Sequence, residues 1–189
     1  MMKKMLITAA EKILEKYITG KDQNHFELLE EIYKSNARVT FEIRSNSVSF
    51  PPEICGNKEI AQILSAEFNK KYDNVNTYYL SRVFPRIEDL IISKQRWLVL
   101  MRDKGNNHIL VGTGFYDWEF DNKSNGELKI KHHNIFIGAM LSLPDLPLTF
   151  LLEIQKRLSY PWVEEGTAID VIKEYKELKE VVIYLKNKY

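Results

Sequence analysis

The adjacent pair His132–His133 is the most chemically capable feature of the sequence, because imidazole exchanges protons near neutral pH without a large shift. In a strand the two rings point to opposite faces. Ile130, His132, Asn134 and Phe136 share one parity, and Lys131, His133, Ile135 and Ile137 share the other. Lys131 favours solvent, so the alternation predicts that His132 faces inward. Rings aimed apart make a poor metal site, and His25 and His108 lie far off in sequence. No metal and no cofactor are expected. Tyr116, Trp118 and Phe120 share one parity of another segment, and Tyr17 sits in an apolar helical stripe. An inward tyrosine hydroxyl can donate a hydrogen bond to a carbonyl oxygen. Asp117 has the opposite parity to Tyr116, so the two are not expected to serve one cavity. Arg38 is expected to pair with Asp117 or Glu42, since an unpaired buried charge is expensive. Cys55 is the only cysteine, which excludes an internal disulfide, and no base for a nucleophile lies near it in sequence.

The elements that must position these residues follow from periodicity. Leu6, Ala10, Ile13, Leu14, Tyr17 and Ile18 predict a helix over 5–19, stopped at Gly20. A second helix over 24–34 turns Phe26, Leu29, Ile32 and Tyr33 inward. A strand follows over 38–44, then a turn region to Pro52 in which Val48 and Phe50 suit a short edge strand. A third helix is predicted over 57–70, with Ile60, Ile63, Leu64 and Phe68 on its apolar side. Four strands come next, over 76–84, 90–101, 108–120 and 127–140, with turns at 104–107 and 121–126. Gly112 and Gly114 inside a strand mark curvature or close approach. A short helix over 149–159 and one long helix over 170–186, striped by Val171, Ile172, Leu178, Val182 and Leu185, end the chain.

Composition narrows the classes. The 189 residues carry 27 Lys+Arg against 26 Asp+Glu, a formal charge of +1. That balance supplies no field for nucleic acid or anionic lipid. No apolar run approaches the length of a membrane span, and the stretch over 6–10 is too short for a secretory core, so a cytoplasmic location is expected. No phosphate-binding or hydrolase motif occurs.

Helices followed by a curved, mainly antiparallel meander define an α+β domain. The segments ELLEEIYKSNARVTFEI (27–43), CGNKEIAQIL (55–64) and GTGFYDWEFDNKSNGELKIKHHNIF (112–136) carry the resemblance. In their order and spacing the chain is similar to the nuclear-transport-factor-2-like superfamily, which includes SnoaL-like polyketide cyclases, ketosteroid isomerases and dioxygenase small subunits. The likeness covers residues 5–140. It implies a cone-shaped, cystatin-like sheet over 1–142, with residues 143–189 as a helical extension packed on the domain or on a partner subunit. In the isomerases a tyrosine of the first helix holds an enolate oxygen, and Tyr17 matches it. Tyr116 falls where a second donor stands. The general-base position falls on Phe41, which cannot accept a proton, and that departure argues against isomerase chemistry. The KIKHHNIFI strand likewise lacks the arginine-rich pattern of dioxygenase subunits. The cyclases use an acid or histidine of the sheet interior, which points to His132.

The resemblance thus implies a small apolar or aromatic ligand in the cone, lined by Tyr33, Phe41, Trp118 and Asn134. Cofactor-free acid–base chemistry on a carbonyl compound would use His132, Tyr17 and Tyr116. The contrasting reading is a non-catalytic homodimeric scaffold with a filled cone. Superfamily members often dimerise through the open sheet face, for which Trp97, Val99 and Met101 are the expected surface.

Overall fold

The computed structural model describes residues 2–81, 87, 89–122 and 127–187. Residues 82–84 of one expected strand and 123–126 of the expected 121–126 turn lie outside the described residues. The first helix, α1 (Met2–Asp22), runs two residues beyond Gly20. Glycine there serves packing rather than termination. A Cβ at Gly20 would meet the Leu29 side chain at 2.9 Å, so the missing side chain lets α2 (Phe26–Ile32) cross closely. Helix α2 stops earlier than periodicity suggests, and Tyr33 opens β1 (Tyr33–Ile43).

The loop 44–52 contains no strand. The edge strand is instead β2 (Glu53–Cys55), which pairs with β1. The third helical stretch is α3 (Asn57–Ala61), a π-helical turn over Gln62–Glu67, and α4 (Phe68–Lys71). The meander follows as β3 (Tyr72–Leu80), β4 (Ile91–Asp103), β5 (Ile109–Asn122) and β6 (Leu128–Leu143). Together with β7 (Trp162–Val163) these form one curved, unclosed sheet of order β2-β1-β6-β5-β4-β3-β7. Among the described residues, β1–β6 and β3–β7 are the parallel pairs.

Two cores share this sheet. On the concave side α1 to α4 cover Val39, Tyr79, Trp97, Tyr116 and Ile135. On the other face Tyr78, Leu98, Leu100 and Val111 lie under α5 (Leu148–Arg157), α6 (Glu165–Ile172) and α7 (Lys179–Lys186). The extension therefore covers the outer face and also adds β7 to the sheet. The single long terminal helix expected over 170–186 is broken. Its apolar stripe has a polar gap from Lys173 to Glu177, and the chain turns there so that both halves reach the sheet.

The surface expected for dimerisation is corrected by the same geometry. Trp97, Val99 and Met101 belong to the concave core, while Leu98 and Leu100 of the opposite parity are covered by the terminal helices.

Candidate functional site

A bulge in β6 decides which histidine faces inward. Phe120 pairs with Ile130 and Glu119 with His132, so Lys131 is an extra residue opposite neither. One inserted residue reverses the alternation. Ile130 and His133 then share the inner face, both at 0% exposure. The expectation that His132 lines the cone is overturned. His132 lies on the other face, its Nε2 3.0 Å from Thr40 Oγ1. Asn134 lies there too, accepting a hydrogen bond from Thr40 Oγ1 at 3.0 Å, so it is not a cone residue. Arg38 is exposed and pairs with Glu53, neither of the partners expected for it.

The concave side has two zones. The first is a sealed aromatic cluster. His133 stacks on Trp118 with centroids 3.6 Å apart, and Tyr33 Oη lies 2.8 Å from His133 Nδ1. Burial, and secondarily the nearby His132, push the His133 pKa well below its ordinary value, so the ring is neutral. Tyr33 and Trp118 are therefore inside the cone but packed into this cluster.

The second zone is a cavity of about 50 Å³. Tyr17, Tyr116 and Phe41 line it, with Trp97, Leu64, Phe68 and others completing an apolar wall. The Tyr17 and Tyr116 hydroxyls are hydrogen-bonded to one another. Burial raises both phenol pKa values, so both stay protonated, and with one hydroxyl donating to the other a single hydroxyl hydrogen of the pair is left to donate.

Among the described lining residues the only charged side chain is Lys21, which the sequence did not single out. It is 6% exposed. Lys21 Nζ donates to Thr77 Oγ1 at 2.8 Å and pairs with Asp22, and it sits 4.6 Å from the centre of the Phe68 ring. Asp22 is held in turn by Thr77 N–H at 2.6 Å, by the Thr77 hydroxyl at 3.0 Å and by Tyr160 Oη at 3.2 Å. An ammonium has three donors, and two are used. The third N–H of Lys21 has no hydrogen-bond partner among the described residues. A signal for this cluster was present: Tyr17 and Lys21 are four apart, hence on one helix face, once α1 continues past Gly20.

Among the described residues no group of three His, Cys, Asp or Glu side chains could hold a metal ion. No helix there is long and apolar enough to cross a membrane.

No family model and no curated protein matches the chain. Solved structures do. Hexachlorocyclohexane dehydrochlorinase LinA-type3 from Novosphingobium barchaimii aligns at a TM-score of 0.59 and 14% identity, over 74% of this chain and 90% of that one. A nuclear transport factor 2-like superfamily protein from Salmonella enterica aligns at 0.56 and 10% identity, over 77% and 96%. The fold is the nuclear-transport-factor-2-like fold. A ketosteroid isomerase-like protein from Erwinia carotovora aligns at 0.52 and 9% identity, over 70% and 96%. At these identities the likeness extends to the architecture of the nuclear-transport-factor-2-like fold, whose sites carry unrelated chemistries.

Proposed function

We propose that the protein binds a small, largely apolar or aromatic compound carrying a carbonyl or anionic oxygen, held in the cone by Lys21 and the Tyr17–Tyr116 pair. The observation that carries this reading is the spare N–H of a buried ammonium at the wall of an apolar cavity. The ammonium is already paired with Asp22 and rests on the Phe68 ring, so a ligand oxygen would add a charge-assisted hydrogen bond at its third N–H. The hydrogen-bonded tyrosine pair would add one neutral donor beside it.

Binding is favoured over proton abstraction by the lining itself. No carboxylate or imidazole is among the described lining residues, so the cavity offers electrophilic groups without a base. Dehydrochlorinase chemistry, as in the structural neighbour, would need such a base in reach. A filled-cone scaffold is the second reading, and the cavity of about 50 Å³ favours it, being room for only a few waters.

Titration with acetophenone, 4-nitrophenolate and ethylbenzene, followed by tryptophan fluorescence, separates the two. Charge-assisted hydrogen bonds contribute about 1.5–3 kcal/mol, so acetophenone should bind roughly tenfold or more tightly than ethylbenzene. Lys21→Met should shrink that difference to what the tyrosine pair supplies while keeping ethylbenzene binding. Saturable binding of none of the three would leave the scaffold reading.

A further inference from the structure

A second concavity, a cleft of about 230 Å³, lies between the 44–52 loop and the stretch that runs from the π-helical turn to Tyr72. Its size admits a ring, since an apolar cavity of about 150 Å³ is enough for benzene. We propose that this cleft is a binding site in its own right, for an aromatic carboxylate of one-ring size, with its ring against Phe50, Phe68 and Tyr72 and its carboxylate on Lys71. The proposal goes beyond the Lys21 reading and does not depend on it.

Both walls are held in place without a ligand. The loop is fastened at its ends by Arg44 N–H to Ile137 O at 2.9 Å and by Phe41 N–H to Pro52 O at 3.1 Å, and buried Val48 anchors its middle. Phe50 stacks on Phe41 with centroids 4.7 Å apart. On the opposite wall the i→i+5 bonding of the π-helical turn sets Ile63 beside Phe68, and both line the cleft. The Phe68 and Tyr72 rings follow at 4.9 Å from one another.

The polar groups choose the ligand's charge. Glu67 also lines the cleft, but its carboxylate is committed, accepting from Lys70 Nζ at 2.6 Å and Gln62 Nε2 at 2.7 Å. Lys71 is exposed, and its ammonium has no hydrogen-bond or ion-pair partner among the described residues. Tyr72 is 7% exposed, and its hydroxyl has no hydrogen-bond partner among the described residues. Burial, and secondarily Asp103, raise the Tyr72 pKa, so this hydroxyl stays a donor. An uncommitted cation and an uncommitted donor beside a satisfied carboxylate select an anion. The three rings and Ile63 select one that carries an aromatic ring.

The test is titration of the full chain with benzoate, benzamide and acetate, followed by amide NMR shifts. Benzoate should move the Ser49, Ile63 and Tyr72 amide signals saturably and bind about two- to fivefold more tightly than benzamide, the worth of one exposed ion pair. Acetate, which lacks the ring, should not saturate. Lys71→Met should bring benzoate down to the level of benzamide, and Tyr72→Phe should weaken benzoate about twofold or more. Lys179→Met, an exposed position on α7 across the sheet, should change neither. Acetate binding as well as benzoate, a benzoate preference that survives Lys71→Met, or one lost equally in Lys179→Met would each overturn the site. So would shifts confined to Tyr17 and Trp97, which place the ring in the inner cavity, and so would the absence of saturable shifts with benzoate.

Discussion

His133 shows how one side chain records the packing around it. Its ring is enclosed by Trp118, Tyr17 and Tyr116, and burial holds its native pKa well below the ordinary 6.5. The unfolded chain therefore binds a proton that the native state refuses, over the interval between the two values. The stability associated with neutral His133 is complete above about pH 6.5 and is lost progressively as the pH falls toward the native value. Urea unfolding across this interval should show a slope of about 1.4 kcal/mol per pH unit attributable to His133. In His133→Phe that part of the slope should vanish; an unchanged slope would mean that the ring is solvated. The companion pair Lys21–Asp22 makes a related point. Its carboxylate takes three hydrogen bonds from Thr77 and Tyr160 besides the pairing with Lys21, which compensates its burial.

Strand β6 sets the geometry at the scale of elements. Lys131 and Gly138 are its two inserted residues, since Gly114 pairs with Ile137 and Thr113 with Ala139. The first insertion turns His133 inward. The second brings the backbone under α7, where a Cβ at Gly138 would overlap the Tyr184 hydroxyl and ring. Gly138→Ala should cost about 1–3 kcal/mol as overpacking. Adding Tyr184→Ala removes the obstacle, so the double variant should lose less than the sum of the two single changes. Strict additivity, measured by urea unfolding, would show that α7 does not press on this residue. Helix α1 is the other deciding element. Because Gly20 accommodates Leu29 rather than ending the helix, Lys21 stays on the face of Tyr17 and reaches the cavity.

For the molecule as a whole, the sheet is buried on both sides over much of β3 to β5. Tyr79 and Trp97 face the cone, while their neighbours Tyr78 and Leu98 lie under the terminal helices. Arg96 ties the layers together, its guanidinium reaching Glu165 Oε1 at 2.7 Å and the Leu185 carbonyl at 2.7 Å. Neither layer can leave without exposing the other's strands. Far-UV circular dichroism and tryptophan fluorescence should therefore give superimposable urea transitions. An early, separate loss of helix would show that α5 to α7 form an independent unit.

The sequence by itself determined the α+β class, the helix–helix–strand–helix–meander order, and the apolar faces of α1 and β5. These depend on local periodicity, which a reader can count. Tyr17, Tyr116 and Phe41 come together at the cavity because each sits in an uninterrupted repeat of 3.6 or 2. Only the tertiary structure decided between His132 and His133, placed Asn134 outside, turned Trp97 inward and recruited Lys21 and Asp22. A bulge is an insertion relative to the partner strand, and a helix passing through glycine is held by the helix that crosses it. Both depend on residues distant in sequence, so no count along one segment reveals them.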